Sequence, residues 1–197
     1  MFNNTLLNPL DNTASIAIIS KLKKSKDKTM LNQKGNKTTY SLALTGIIGS
    51  LYVILTLVFY PISFGPIQVR ISELMAILPL FCGEAIVGLT IGCLISNLLG
   101  NGILDIIFGT LATLISALCT YFIGKKVKKN IPKFILGGFF PVILNAIIVP
   151  FTFLAITELK ELYFISAIQV FIGQALSVYG LGGVVYFVFG KRISHSK

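Results

Sequence analysis

The sequence predicts an all-α integral membrane protein, and three observations lead to this prediction. Of the 197 residues, 54% are hydrophobic and only 12% are charged, whereas a soluble domain carries about 25% charged residues. The apolar segments have the length of helices that cross a bilayer, rather than that of short alternating strands. The basic residues are concentrated in clusters outside these segments. The length of the chain allows five or six spans in one domain plus a tail.

The predicted topology follows from the positions of the basic clusters. Seven lysines lie before residue 40, five lie between Lys125 and Lys133, and three basic residues follow Gly190. With the N-terminal tail inside, all three clusters fall on the cytoplasmic face, as the positive-inside rule requires. The net charge of +10 therefore indicates membrane orientation rather than nucleic acid binding. Anionic lipid or an acidic partner surface are additional possibilities for these clusters.

Three parts of the chain are distinguished by composition. Residues 1–40 are rich in Asn, Thr, Ser and Lys, and we expect a mostly disordered, basic cytoplasmic tail. The apolar patch from Ile16 to Ile19 is too short for a secretory signal, and Met30 offers an internal translation start. Residues 41–190 form the predicted membrane domain, and residues 191–197 form a second basic cytoplasmic tail.

The apolar segments of the membrane domain have uneven lengths. The predicted segments are 41–60, 71–81, 84–99, 103–124, 134–155 and 163–189. The second segment is short and Pro79 would kink it, so residues 71–99 form either two spans or a partly re-entrant hairpin. In the first span, Gly46, Gly49 and Ser50 are small residues that permit close helix packing. Their packing partner is either another helix of this chain or a separate subunit.

The stretch from Tyr60 to Pro79 interrupts the apolar pattern and is the first candidate for a ligand site. Prolines and a glycine break the helix there, and Arg70 and Glu73 follow three residues apart. Charged side chains are costly inside a bilayer and usually face a cavity, a partner or each other. The alternative is a loop at the membrane surface that contains a local ion pair.

Further polar residues are predicted to converge on the outer half of the bundle. They are Asn97, Asp105, Asn145 and Gln169. A mostly apolar pocket with a few converging polar groups is typical of a solute-binding site. Each residue also has a structural alternative. The Asp105 carboxylate would stabilise the start of a helix by interacting with the positive end of the helix dipole. The amide side chains of Asn145 and Gln169 would form hydrogen bonds between helices.

The sequence offers little for catalysis, metal binding or ATP hydrolysis. The single histidine is His195 in the tail, and the three cysteines are isolated, which disfavours zinc sites, disulfides and histidine-based catalysis. The glycines before Lys125 and Lys191 lack the rest of a phosphate-binding loop. We therefore predict that the protein is not an enzyme and binds no cofactor or metal. We predict instead a solute-binding membrane subunit that partner subunits supply with energy. A membrane enzyme or an assembly protein with the same polar cluster is the competing class.

Two sequence blocks carry a resemblance to a known family. PISFGPIQVRISELMAILP and GLTIGCLISNLLGNGILDIIFGTLATLISAL resemble the queuosine-precursor transporter (QueT) family. These proteins are substrate-binding S components of energy-coupling factor (ECF) transporters. The runs NAIIVP and GQALSVYGLGG are similar to the family too, and the likeness covers residues 42–190.

The resemblance implies a six-transmembrane-helix S-component bundle in a bacterial cell membrane, with a ligand pocket near the outer face. It implies a transmembrane coupling subunit and two ATPase subunits as partners. Gly46, Gly49 and Ser50 would face the coupling subunit, although alanines are more usual there. The runner-up within this class is an S component for another vitamin-like solute.

The substrate implied by the resemblance is a 7-deazaguanine, such as the 7-cyano or 7-aminomethyl base, or queuine. A carboxylate accepts the N–H donors of a guanine-like edge, and an amide or guanidinium donates to its carbonyl. Glu73 is the expected acceptor, and Asp105 would accept from an ammonium substituent. The expected partners of the carbonyl are Arg70, Asn97, Asn145 or Gln169.

Overall fold

The computed structural model describes residues 9–64, 69–100, 103–151 and 160–194. The chain divides into two units, Met1–Leu42 and Ala43–Lys197, and the candidate site lies in the second. Helix α1 spans Pro9–Val58, so the predicted tail is helical from Pro9 onward. Its sequence contains many Lys, Leu and Ala residues, which have high helix propensity. The connection between the predicted segments 134–155 and 163–189 lies largely outside the described residues.

The second unit contains helices alone in its described part. After α1 come α2 (Tyr60–Ser63), a 3₁₀ helix (Ile71–Leu80), α3 (Glu84–Gly100), α4 (Ile103–Lys126) and α5 (Asn130–Ile148). They are followed by α6 (Lys160–Ala175), a π-helical segment (Leu176–Leu181) and α7 (Gly182–Ser194). Helix α5 ends earlier than residue 155, the end predicted from sequence. Val149 still has helical angles and donates to the Asn145 carbonyl, but Pro150 has no backbone N–H to continue the pattern.

The 3₁₀ helix Ile71–Leu80 is the central element of the second unit. Seven of its ten residues are buried, and it packs against α3, α4, α5, the π-helical segment and α7. A 3₁₀ helix rises about 2.0 Å per residue, so these ten residues extend over about 20 Å. This is less than the hydrocarbon core of about 30 Å. The element therefore connects two levels inside the bundle without spanning it alone.

Small residues bring α1 and α3 close together. A Cβ atom on Gly92 would lie 2.9 Å from the backbone oxygen of Gly49 and from Cβ of Tyr52. A Cβ atom on Gly88 would meet Ile48 at the same distance. Real Cβ contacts are not this short, so the two helices approach through the space that these glycines leave. This approach places Tyr52 beside the 3₁₀ helix.

A second core forms where α5 and the last helices meet. The Phe134 ring packs edge-on against Tyr179 and at a tilt against Tyr186, with ring centroids 5.7 and 4.9 Å apart. Thr120 of α4 donates a 2.8 Å hydrogen bond to the Gly137 carbonyl of α5. Aromatic packing and this buried hydrogen bond hold α4, α5 and the C-terminal helices around the 3₁₀ helix.

Four helical stretches of the described chain are long and apolar enough to cross a membrane. They are Gly35–Val58, Ile103–Lys126, Asn130–Ile148 and Tyr163–Val188. Many of their large apolar side chains are exposed, as expected of helices that face lipid. Ile71–Leu80 and Glu84–Gly100 are apolar but shorter. The structure thus has the all-α membrane architecture, while the count of six spans stays a prediction.

Candidate functional site

Arg70 and Glu73 lie at one end of the 3₁₀ helix and are buried, with 3% and 2% of their surfaces exposed. Arg70 directly precedes the helix and Glu73 lies in its first turn. Arg70 is the N-cap and has extended backbone angles, and its carbonyl accepts a 3.0 Å hydrogen bond from the Glu73 amide. Two buried charges among apolar helices are costly to maintain. Their burial disfavours the alternative of a loop at the membrane surface with a local ion pair.

The Arg70 guanidinium is only partly satisfied by its surroundings. Its carbon atom lies 5.2 Å from the centroid of the Phe64 ring, and it interacts electrostatically with Glu73 and Asp105. Its Nε atom is buried and has no hydrogen-bond partner among the described residues. A buried donor without a partner costs about 1–3 kcal/mol. Arg70 therefore has one donor available to another molecule.

Helix α1 supplies partners for the start of the 3₁₀ helix. The Tyr52 hydroxyl donates a 2.5 Å hydrogen bond to Oε1 of Glu73. One turn later, Thr56 lies 2.7 Å from the Ser72 hydroxyl. Among the residues of α1, only the small ones were predicted from sequence to make specific contacts, and Tyr52 and Thr56 were not. The signal that could have found them is the four-residue spacing of Tyr52 and Thr56, two hydrogen-bonding residues on one helix face.

Asn97 of α3 is fully buried and presents an acceptor. Its Nδ2 donates to the Asp105 backbone carbonyl at 3.2 Å and to the Cys93 sulfur at 3.4 Å. The carbonyl is only an acceptor, so the nitrogen must face it and the orientation of the amide is determined. The remaining atom, Oδ1, is buried without a hydrogen-bond partner in the described part of the chain. Asn97 therefore presents an acceptor here, whereas the expectation from sequence was a donor to the carbonyl of the base.

Cys93 connects α3 with α4 beneath this group. Its sulfur accepts a 3.2 Å hydrogen bond from the Thr113 hydroxyl and lies 3.7 Å from the Gly109 carbonyl. A Cβ atom on Gly109 would lie 2.8 Å from Nδ2 of Asn97, so only glycine leaves room for this amide. Cys93, Thr113 and Gly109 therefore position Asn97.

A narrow gap lies between α1, the 3₁₀ helix, α3 and α4. It leaves no room for a water molecule. Its lining comprises Tyr52, Glu73, Ala76, Leu89, Thr113, Ser116 and Ala117. Four of these seven side chains carry a polar group, so a molecule there would meet both apolar surface and hydrogen-bonding groups. A ligand can enter it only if side chains move.

The structure brings four of the six predicted site residues together: Arg70, Glu73, Asn97 and Asp105. Asn145 is buried in α5, and its amide donates to the Pro141 carbonyl of its own helix at 2.9 Å. Gln169 is half-buried on α6. No hydrogen bond or ion pair joins either of these two residues to the cluster within the described ranges. Their role in binding stays a prediction.

The three small residues of α1 point in different directions. A Cβ atom on Gly49 would lie 3.1 Å from the Gly88 carbonyl, so Gly49 packs against α3 of the same chain. Gly46 has open space around it, and Ser50 is exposed. The sequence left open whether these residues pack against another helix of this chain or against a separate subunit. For Gly49, the partner is a helix of this chain.

The described residues contain no group of three or more His, Cys, Asp or Glu side chains that could hold a metal ion. The cluster instead combines one guanidinium, two carboxylates, an amide and a phenol, of which the Tyr52 phenol and the Glu73 carboxylate line the closed gap. Such groups recognise a polar, hydrogen-bonding molecule. Fold and cluster thus define a multi-pass membrane protein with a group of polar side chains buried among its helices.

Comparison with known proteins identifies the family. The QueT transporter family model matches residues 42–191, and the chain belongs to this family. The family consists of transporters, not enzymes. The chain is also similar to the queuosine precursor transporter QueT of Lactococcus lactis subsp. cremoris (strain MG1363), with 43% identity over 79 residues. The match covers 39% of this chain and 47% of that protein, so it spans about half of the relative's length. No solved structure matches the chain.

The hydrogen bond between Tyr52 and Glu73 generates a stability prediction. We expect Tyr52→Phe to lower the free energy of unfolding by about 1.5–3 kcal/mol, because the hydroxyl donates to a buried carboxylate. In a Glu73→Gln background the same substitution should cost clearly less. The measurement is the unfolding transition of the detergent-purified variants.

Tyr60→Phe is the matched control for this prediction. Its hydroxyl donates to the Gly100 carbonyl at 3.2 Å from an exposed position, so its loss should change stability by at most about 0.5 kcal/mol. Equal losses for Tyr52→Phe and Tyr60→Phe would show that the buried bond does not stabilise the fold.

Proposed function

We propose that this protein is the substrate-binding membrane subunit of an ECF-type uptake transporter that captures a queuosine precursor. The substrate would be a 7-deazaguanine, such as the 7-cyano or 7-aminomethyl base, or queuine. The observation that carries the proposal is the buried cluster with an unpartnered donor on Arg70 and an unpartnered acceptor on Asn97. Membership in the QueT transporter family and the name of the Lactococcus relative support it.

The hydrogen-bonding groups of the cluster complement a guanine-like edge. That edge presents a carbonyl acceptor, a ring N–H donor and an exocyclic amino donor. Arg70 offers Nε for the carbonyl, while the Glu73 carboxylate and Oδ1 of Asn97 accept from the two donors. A site built from such bonds rejects analogues that leave its buried groups unpaired. The cluster therefore favours a guanine-type base over an apolar solute.

Asp105 is the candidate residue for contacting the substituent at position 7 of the base. It is half-buried, interacts electrostatically with Arg70, and its backbone carbonyl holds the Asn97 amide. A 7-aminomethyl group carries an ammonium that a carboxylate stabilises through a charge-assisted hydrogen bond. Asp105 would therefore favour the aminomethyl base over the cyano base.

Binding at this site requires a conformational change. The gap has no room for a water molecule, and the Tyr52 hydroxyl already donates a hydrogen bond to one carboxylate oxygen of Glu73. A base that pairs with Glu73 would displace or share the Tyr52 bond and move α1 relative to the 3₁₀ helix. Closure of side chains around a solute sequesters it from water, which suits a carrier that must hold its substrate during transport.

Transport energy would come from partner subunits. The chain contains no complete phosphate-binding loop, so we propose a transmembrane coupling subunit and two ATPases as partners in a bacterial cell membrane. Both termini would be cytoplasmic and the site would open outward, in accordance with the basic clusters. On α1, Gly46 and Ser50 are the proposed contacts for the coupling subunit, because they are exposed while Gly49 packs against α3.

The substrate assignment predicts the effect of neutralising Glu73. We expect Glu73→Gln to weaken binding of 7-aminomethyl-7-deazaguanine by about tenfold to hundredfold, because hydrogen bonds to a charged group are worth about 1.5–3 kcal/mol. Isothermal titration calorimetry of the detergent-purified protein measures this affinity.

Glu84→Gln is the matched control, since it makes the same change at the opposite end of the 3₁₀ helix. It should leave the affinity unchanged. If both variants bind like the unmodified protein, Glu73 does not contact the base. If both lose binding equally, the effect is not specific to the cluster.

The partner assignment predicts the effect of a bulky residue at Gly46. Gly46→Leu should reduce copurification with the coupling subunit and ATPases while ligand affinity persists, because the side chain enters space that is open in this chain. Gly180→Leu is the control, as its Cβ position is equally open. Unaltered copurification of Gly46→Leu would place the interface elsewhere, and complete absence of ATPases from the unmodified protein would contradict the coupled mechanism.

A further inference from the structure

A second pocket lies at the other end of the 3₁₀ helix and has no role in the proposed transport site. It has a volume of about 480 Å³. Its lining comprises Pro79, Leu80, Phe81, Cys82, Gly83, Glu84, Tyr121, Gly124, Lys125, Asn130, Lys133 and Tyr186. These residues come from the end of the 3₁₀ helix, the start of α3, the end of α4, the start of α5, and α7. The side chains of the proposed transport site begin at Arg70, at the opposite end of the 3₁₀ helix. The length of this helix therefore separates the pocket from the transport site by about 20 Å.

The charged groups of this pocket are two lysines and one glutamate. Nζ of Lys125 lies 5.2 Å from the Tyr121 ring centroid, and Nζ of Lys133 lies 5.6 Å from that of Phe81. These cation–π contacts hold both ammonium groups at the pocket wall. With Glu84, the lining carries a formal charge of +1. This matches the single negative charge of a phosphodiester better than the nearly double charge of a phosphomonoester.

The start of α5 adds hydrogen-bond donors to the same pocket. Helix α5 begins at Asn130, and its N-cap residue Lys129 makes no side-chain hydrogen bond to the first turn. The first backbone amides of a helix carry the positive end of the helix dipole and favour anions. Pro132 has no N–H and the Lys133 N–H donates to the Lys129 carbonyl at 3.0 Å, which leaves the amides of Asn130 and Ile131. Asn130 itself is anchored, since its carbonyl accepts a 3.0 Å hydrogen bond from Tyr186. Asn130 and the two lysines thus line one cavity.

The pocket also lies at the level where membrane spans end. Helix α4 ends at Lys126 and α5 begins at Asn130, and both helices are long and apolar enough to cross a bilayer. Two exposed aromatic side chains adjoin the pocket: Phe122 packs against Tyr121, and Phe187 packs against Tyr186. Tyrosines at this level are typical of the membrane interface. A molecule with a polar head in the pocket could extend an apolar tail along these rings.

We propose that this pocket binds the headgroup of an anionic glycerophospholipid, with its phosphodiester between Lys125 and Lys133. The Asn130 amide at the start of α5 contributes a further donor, and the acyl chains lie against Phe122 and Phe187. Because the pocket is formed by α3, α4, α5 and α7 around the end of the 3₁₀ helix, the bound lipid fastens these elements together. The protein is therefore stabilised by anionic lipid specifically, and not only by a bilayer.

The test measures binding of phosphatidylglycerol to the full chain in neutral detergent, with phosphatidylcholine for comparison. The double variant Lys125→Gln/Lys133→Gln should bind phosphatidylglycerol about tenfold to thirtyfold more weakly, since each basic residue near anionic lipid contributes appreciably to affinity. Lys126→Gln/Lys129→Gln makes the same charge change at exposed residues outside the pocket lining, and should keep most of the affinity.

Equal loss of affinity in the two double variants would overturn the proposal, because the attraction would then come from general surface charge. Equal affinity for phosphatidylcholine and phosphatidylglycerol would overturn it too. Stabilisation by soluble glycerol 3-phosphate as strong as by the lipid would reassign the pocket to a free phosphate ester. Circular dichroism of each variant controls for folding, and the single variant Lys125→Gln, at an exposed residue, should show an intermediate loss.

Discussion

The burial of Arg70 and Glu73 is the constraint on which the rest of this structure depends. Two opposite charges within an apolar bundle are tolerated only if neighbouring groups satisfy most of their hydrogen bonds. The Tyr52 hydroxyl donates a hydrogen bond to one carboxylate oxygen of Glu73. The carboxylates of Asp105 and Glu73 offset the positive charge of Arg70. Within the described cluster, Nε of Arg70 and Oδ1 of Asn97 have no hydrogen-bond partner. These are the groups that we propose for solute binding in this member of a transporter family.

Close helix packing makes this arrangement possible. The glycines of α3 allow α1 to approach until Tyr52 reaches the 3₁₀ helix, and Gly109 of α4 leaves room for the Asn97 amide. Packing at the backbone level is the usual means of association between helices in lipid, where the hydrophobic effect does not drive it. The same contacts connect the site to α1, whose other face carries the exposed Gly46. A movement of Tyr52 on binding would therefore reach the proposed partner surface directly.

The sequence predicted the parts of the site that local pattern controls. Arg70 and Glu73 stood out because charge is rare in apolar segments, and Asn97 and Asp105 were expected to converge on the outer half of the bundle. The family was also identified from sequence and is confirmed. Tyr52 and Thr56 were missed because their partners lie 21 and 16 residues away, beyond any helical period. The acceptor role of Asn97 depends on the Asp105 backbone carbonyl, and a backbone atom leaves no trace in the sequence. The 3₁₀ geometry of residues 71–80 likewise arises from tertiary packing on several sides.

The measurement that tests the central claim most directly is a calorimetric titration of the unmodified protein with a series of bases. The series comprises 7-aminomethyl-7-deazaguanine, its 7-cyano analogue, queuine, guanine, and a 7-cyano-7-deazapurine that lacks the 2-amino group. We expect the deazaguanines to bind tightly and guanine to bind weakly. The base without the 2-amino group should bind at least about tenfold more weakly, because one acceptor of the site would stay unpaired. Equal binding with and without that group, or no heat from folded protein with any base, would contradict the central claim.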